Sequence, residues 1–253
     1  MDIINTTGLF IGSLVANTLA SLSGGGAGLL QFPLLIFLGL PFSTALATHK
    51  VASVALGIGA AAKHIRSGSL DWKLTFYLTL AGSLGVVIGA NLILFVPNQI
   101  AETALGLLII GLGLYSYIKK DLGQLNEPKN RHKSGVAIGV IGLGLIGVLN
   151  GSLTAGSGLF VTLFLVRWFG LDYKQAVALT LVSVGLFWNG LGGLAMYQAG
   201  APIHWPWIPV LLLGSFCGGY LGAILANKGS NKLIKRCFEI LTFAVGLKLI
   251  IGM

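Results

Sequence analysis

Two short stretches bring together glycines and hydroxyls in a pattern that suits the handling of a small ion. Ser21–Gly28 reads SLSGGGAG and Ser152–Gly158 reads SLTAGSG, each inside an otherwise apolar run. A glycine in a helix interior costs about 1 kcal/mol relative to alanine, so three in succession mark a place where a helix stops. A helix that restarts beyond such a stop presents free backbone N–H groups and the positive end of its dipole. With no Cβ in the way at Gly24, Gly25, Gly26 and Gly28, or at Gly156 and Gly158, an anion can approach those N–H groups directly. Ser21 and Ser23 beside the first stop, and Thr154 and Ser157 beside the second, add hydroxyl donors. The chemistry would be the cradling of a small anion. Close helix packing through small residues is the competing reading, and the chain has 38 glycines to spend on it. Neither stretch has the G-x-x-x-x-G-K-[ST] spacing of a phosphate-binding loop, so nucleotide binding is rejected.

One cation lies close by in sequence. Lys50, in PFSTALATHKVAS, falls about 10 Å into a helix that opens near Ser43, at 1.5 Å per residue. A lysine there either snorkels to the interface or serves function. His49 and Ser53 share a helical face, with Thr48 beside them. His49 is read as a packed helix residue or as a proton carrier. The corresponding helix of the second half, AVALTLVSVGLFWNGLGG, offers Thr180, Ser183 and Asn189 but no cation. One cation, several hydroxyls and two helix N-termini suit an oxyanion better than a metal ion. No carboxylate pair, His-rich set or nucleophile–base arrangement indicates an enzyme, a metal site or a cofactor. Cys217 and Cys237 read as small buried hydrophobes.

The elements that must position these residues are membrane helices. The chain of 253 residues is 55% hydrophobic and 9% charged, with a mean hydropathy of +0.89. A soluble domain carries about 25% charged residues. Apolar runs at 43–62, 74–96, 100–118, 175–196, 207–227 and 234–252 are each long enough to span a bilayer. Two further regions, 5–38 and 136–169, are too long for one span and break at Gly24–Gly28 and Gly156–Gly158. Each forms either a hairpin that turns within the membrane or two full crossings. With that count, all but two of the 16 Lys and Arg residues fall on one side, in the loops 63–73, 119–134, 167–174 and 228–236. Lys50 and Lys248 are the exceptions. The positive-inside rule makes that side cytoplasmic and puts both termini outside. It also accounts for the net charge of +9 without nucleic acid as a partner.

The halves resemble each other at an offset of about 131 residues, with Ser21–Gly24 against Ser152–Ala155, Gly39 on Gly170, Thr48 on Thr180 and Gly89 on Gly222. The organisation expected is a first repeat at 1–118, a basic linker at 119–134 and a second, inverted repeat at 135–253. The fold class is an all-α polytopic membrane protein of about eight helical membrane segments, each repeat beginning with a broken or hairpin helix pair. Inverted repeats with discontinuous helices point to a secondary transporter whose substrate binds at the breaks.

The paired segments SLSGGGAGLLQFPLLIFLGLPFSTALATHK and SLTAGSGLFVTLFLVRWFGLDYKQAVALT resemble the sulfite exporter TauE/SafE family, as does essentially the whole chain. The glycine-rich break, Pro33 and the A-x-A-T element at Ala45–Thr48 carry the resemblance most specifically. The resemblance implies a multi-pass protein of the bacterial inner membrane that moves sulfite, sulfonates such as sulfoacetate, or related organosulfur anions. The second segment lacks a counterpart of Pro33 and has Ala155 within its glycine run, so the two half-sites should differ. An anion channel, a scaffold and a transporter of another anion such as a carboxylate stay open at this point, as does a homo-oligomer.

Overall fold

The computed structural model describes residues 3–24, 27–66, 70–93, 107, 110–154 and 156–251. Among them there is no strand; every regular element is a helix. In chain order these are α1 (Ile3–Ser23), α2 (Gln31–Phe37), α3 (Phe42–Arg66), α4 (Trp72–Leu92), α5 (110–118), α6 (Lys133–Ser152), α7 (Ser157–Phe169), α8 (Tyr173–Gln198), α9 (Ile208–Lys228) and α10 (Asn231–Ile251). Among the described residues, five helices are long and apolar enough to cross a membrane: α3, α4, α6, α8, and α9 with the 3₁₀ turn at Trp205–Trp207 that leads into it. The segments expected at 74–96 and 100–118 run partly outside the described residues, and the whole of 94–106 lies outside them. So do Gly25, Gly26 and the side chain of Lys248.

The helices start and stop where side chains meet the unpaired backbone groups of their ends. Asp71 accepts from Leu74 N at the start of α4, and Asp172 accepts from Gln175 N at the start of α8, both at 2.9 Å. Gly170, at φ +69°, ends α7 in the left-handed conformation that glycine adopts freely. The two long apolar regions do break as expected. α1 has 21 residues and α2 only 7, so α2 extends about 10 Å and cannot cross a bilayer. α6 has 20 residues and its successor α7 has 13, about 20 Å. Around the second break α6 ends at Ser152 and α7 begins at Ser157, with Ala155 outside the described residues; Ser157 and Gly158 already belong to the first turn of α7.

Two helix pairs cross at very short range. α1 packs on α9 and α4 packs on α6, and glycines line both crossings. On α9, a Cβ at Gly218 would lie 2.7 Å from the Leu14 carbonyl oxygen, and one at Gly222 would collide with the Thr18 carbonyl. On α4, Gly85 and Gly89 press against the backbone of Gly144 and Val148 in the same manner. Small residues let apolar helices associate by van der Waals contact where no water remains to be released. A methyl group at Gly89 would meet backbone rather than a flexible side chain. Gly89→Ala is therefore expected to cost about 1–3 kcal/mol, read as a lower melting temperature of the detergent-solubilised protein.

The basic linker is docked rather than loose. Glu127 N and Lys129 N donate to the carbonyls of Gly170 and Phe169, at 2.8 and 3.0 Å, and Asn130 Nδ2 donates to Trp168 O at 2.8 Å. It forms a strap across the C-terminal end of α7.

Candidate functional site

The two breaks meet. Gly28, in the 3₁₀ turn that follows the first break, lies so close to Thr154 of the second that a Cβ would fall 2.6 Å from Thr154 Cγ2 and 3.0 Å from its carbonyl oxygen. Gly24 has φ +70°, and its carbonyl accepts a hydrogen bond from Thr162 Oγ1 of α7 at 3.1 Å. Thr154 itself has φ +57°, a conformation that a β-branched residue avoids. Such backbone strain costs on the order of 1–3 kcal/mol and collects where surrounding contacts enforce it.

Lys50 enforces it. The side chain is 0% exposed, and its Nζ donates to Thr154 Oγ1 and to the carbonyl of Asn150, both at 2.7 Å. The Asn150 carbonyl belongs to the last turn of α6, where carbonyls lack helical partners and carry the negative end of the dipole. Gly192 and Gly193 of α8 make room for the lysine stem; a Cβ at Gly192 would sit 3.1 Å from Nζ. An ammonium has three protons, and two are placed.

Lys50 has no acidic partner among the described residues. Lys235 provides the contrast. It is also buried, at 6% exposure, but Glu239 lies 2.9 Å away and Ser116 O accepts from it at 2.7 Å. One buried lysine has its counter-ion within the protein, and the other has none among the described residues. Burying a charge without a counter-ion costs several kcal/mol, and two neutral oxygens offset only part of that.

Around Lys50 runs a chain of amides and hydroxyls. Asn150 Nδ2 donates to Ser157 Oγ at 2.8 Å and to Asn189 Oδ1 at 3.1 Å, and Asn189 Nδ2 donates to Ser53 Oγ at 2.9 Å. Asn150 Oδ1 is buried with no partner. His49 turns the other way. Its Nδ1 lies 2.9 Å from Gln31 Oε1, and Gln31 Nε2 donates to Ser13 Oγ and Ser215 Oγ at 2.8 and 2.9 Å.

The structure thus brings Gly24, Gly28, Lys50, Ser53, Thr154, Gly156, Ser157 and Asn189 to the junction of the breaks. Gly158 follows in the first turn of α7, and Thr180 joins through Thr162 Oγ1 at 3.0 Å. The other hydroxyls are engaged elsewhere. Ser21 donates to the Gly219 carbonyl and Ser23 to the Leu19 carbonyl, Thr48 accepts from His204 N, and Ser183 pairs with Thr79. Sequence reasoning passed over Asn150, Gln31, Ser13, Ser215 and Thr162. The amides had a signal: each stands alone in an apolar run, where a polar side chain is costly unless it is used. No three His, Cys, Asp or Glu side chains among the described residues lie close enough together to hold a metal ion.

The family model described as sulfite exporter TauE/SafE matches residues 9–249. The chain is 29% identical over 245 residues to the probable membrane transporter protein YfcA of Escherichia coli strain K12, covering 96% of this chain and 88% of that protein. It is 26% identical to a probable membrane transporter protein of Haemophilus influenzae, covering 96% and 93%. It is 25% identical to the probable membrane transporter protein YdhB of Bacillus subtilis, covering 94% and 96%. No solved structure matches the chain. These relatives are transporters, not enzymes, and are bacterial. With the family model covering nearly its whole length, the chain belongs to the sulfite exporter TauE/SafE family of membrane transporters.

Proposed function

We propose that the protein is a secondary transporter of small organosulfur anions, with Lys50 as the fixed positive charge of its binding site. The observation that carries this reading is the fully buried Lys50 side chain at the junction of two broken helices, with no carboxylate beside it among the described residues. A site that holds an unneutralised charge in a low-dielectric interior gains most from a ligand of opposite sign. The polar groups around it are neutral hydrogen-bonding groups, which suits oxygen-rich anions rather than cations. Sulfite and sulfonates carry that chemistry, and the family description points to the same class.

Inverted repeats and alternating access belong to the same proposal. Two features support them. The α1–α9 and α4–α6 crossings are built alike, from glycines at matching positions of the two halves. The His49–Gln31 and Thr162–Thr180 contacts each join residues 18 apart, one residue out of step with the pairing of Thr48 and Thr180. With the two halves as counterparts, one hairpin and its following helix move against the other around Lys50. The distribution of basic residues then puts the linker in the cytoplasm and both termini outside.

A thermal-stability screen against sulfite, sulfate, thiosulfate, taurine, sulfoacetate and simple carboxylates tests the reading. A ligand at 100 times its Kd stabilises the native state by about 2.7 kcal/mol. Shifts confined to sulfur oxyanions and sulfonates are expected. Shifts with carboxylates alone would move the substrate class, and no shift with any anion in folded protein would overturn the anion site.

A further inference from the structure

We propose that His49 Nε2 is a proton-binding site that fills together with the anion, so that the two cross the membrane as a pair. The proposal rests on the anion-transport reading above.

The hydrogen bonds around His49 fix its tautomer. Ser13 has a single hydroxyl proton, and it goes to the Leu211 carbonyl at 3.2 Å. Toward Gln31, Ser13 therefore offers a lone pair, and Gln31 must present its NH₂ group there. The second NH₂ proton goes to Ser215 Oγ. The amide oxygen of Gln31 is thereby turned to His49, so the ring nitrogen 2.9 Å away must carry a proton. A neutral imidazole with Nδ1–H has a bare lone pair at Nε2. That atom is buried and has no hydrogen-bond partner. Asn17 Oδ1, whose amide nitrogen is held by the same Ser13, is also buried without a partner. A proton acceptor is thus held in a fixed orientation with nothing to accept from.

The charged surroundings are sparse. The described parts of α1 and α2 carry no ionisable side chain; α9 carries Cys217 and Tyr220 near Ser215 and Lys228 at its far end. His204 N bonds the adjacent Thr48, and α8 brings Lys174 only at its start. Lys50 is the near charge. A doubly charged anion arriving with one proton brings a net charge of −1, which cancels the charge of Lys50, so the loaded site crosses with no net buried charge. The proton comes from the aqueous phase to which the site is open, binds the Nε2 lone pair and leaves from the same atom on the other side. The matching place in the second half holds the Thr162–Thr180 pair, which does not titrate, so each cycle carries one proton.

Isothermal titration of the full chain with thiosulfate and with sulfoacetate, near neutral pH and in buffers of different ionisation enthalpy, counts protons taken up per anion. Both probes are fully ionised there. Wild-type protein is expected to take up close to one proton per anion bound, and H49Q none. Binding without buffer-dependent heat in the wild type, or the same proton count in H49Q, would overturn the proton site and leave the anion site standing. No binding heat from either probe in folded wild-type protein would overturn the anion reading and this proposal with it. A second measurement needs no variant at position 49. The ring ¹⁵N signals of the four histidines, assigned by replacing the other three, should show His49 Nε2 bare without thiosulfate and protonated with it. An Nε2 signal unchanged by bound thiosulfate would equally overturn the proposal.

Discussion

Lys50→Met is expected to abolish anion binding while leaving the protein at least as stable as the wild type. Methionine matches the length of the lysine stem and needs no counter-ion, so it relieves the burial of an unpaired charge. Replacing buried charges with apolar groups of similar volume is often neutral or stabilising. Against that, Thr154 Oγ1 and the Asn150 carbonyl each lose a donor at 2.7 Å. The Asn150 carbonyl is a helix-end group, and the threonine hydroxyl can rotate toward another acceptor, so the loss is partly made good. The anion loses its only full positive charge. A charge-assisted contact in a desolvated site contributes about 3 kcal/mol, so affinity should fall by about 100-fold or more. A melting curve on the variant, with and without the anion that shifts the wild type, checks both halves. A stable variant that still shifts with the anion would remove Lys50 from the site.

Gly28→Val should stop transport by a different route. Its side chain would enter the contact between the breaks, where a Cβ alone would come within 2.6 Å of Thr154 Cγ2. Thr154 cannot yield easily, because its hydroxyl holds Lys50 and its backbone is already at φ +57°. The hairpins must separate, and Thr154 must move away from the ammonium. Overpacking of this kind costs typically 1–3 kcal/mol. Uptake or efflux in proteoliposomes should fall at least tenfold, since a displacement of about 1 Å in a positioned site costs far more in rate than in stability. Gly8→Ala is the control, because nothing lies within 4 Å of a Cβ there. Equal transport by both variants would mean that the junction does not need to stay closed.

The long apolar segments were legible because hydropathy reports helix length directly; α3, α4, α8 and α9 lie within a few residues of the expected spans. The positions of both breaks were legible too, since glycine runs interrupt helices wherever they occur. That Lys50 reaches the second break was not. Lys50 and Thr154 are 104 residues apart, and nothing in either local sequence specifies that meeting. The same limit applies to hydroxyls. Ser21 and Ser152 are paired in sequence, yet one donates to the backbone of α9 and the other to the Val148 carbonyl of its own helix. A serine beside a break has several acceptors within reach, and packing chooses among them.

The middle of α8 carries a consequence of its own. Residues Leu181–Trp188 form a π-helix, which is wider than the α-helix on either side and holds more residues per turn. A swollen turn keeps the helix continuous but changes the face presented beyond it, where Asn189 bonds Asn150 and Ser53 and where Gly192 and Gly193 lie against Lys50. α3 is α-helical throughout, so the helix that carries the lysine and the helix that packs round it differ in girth: one brings the charge and the other is shaped to surround it.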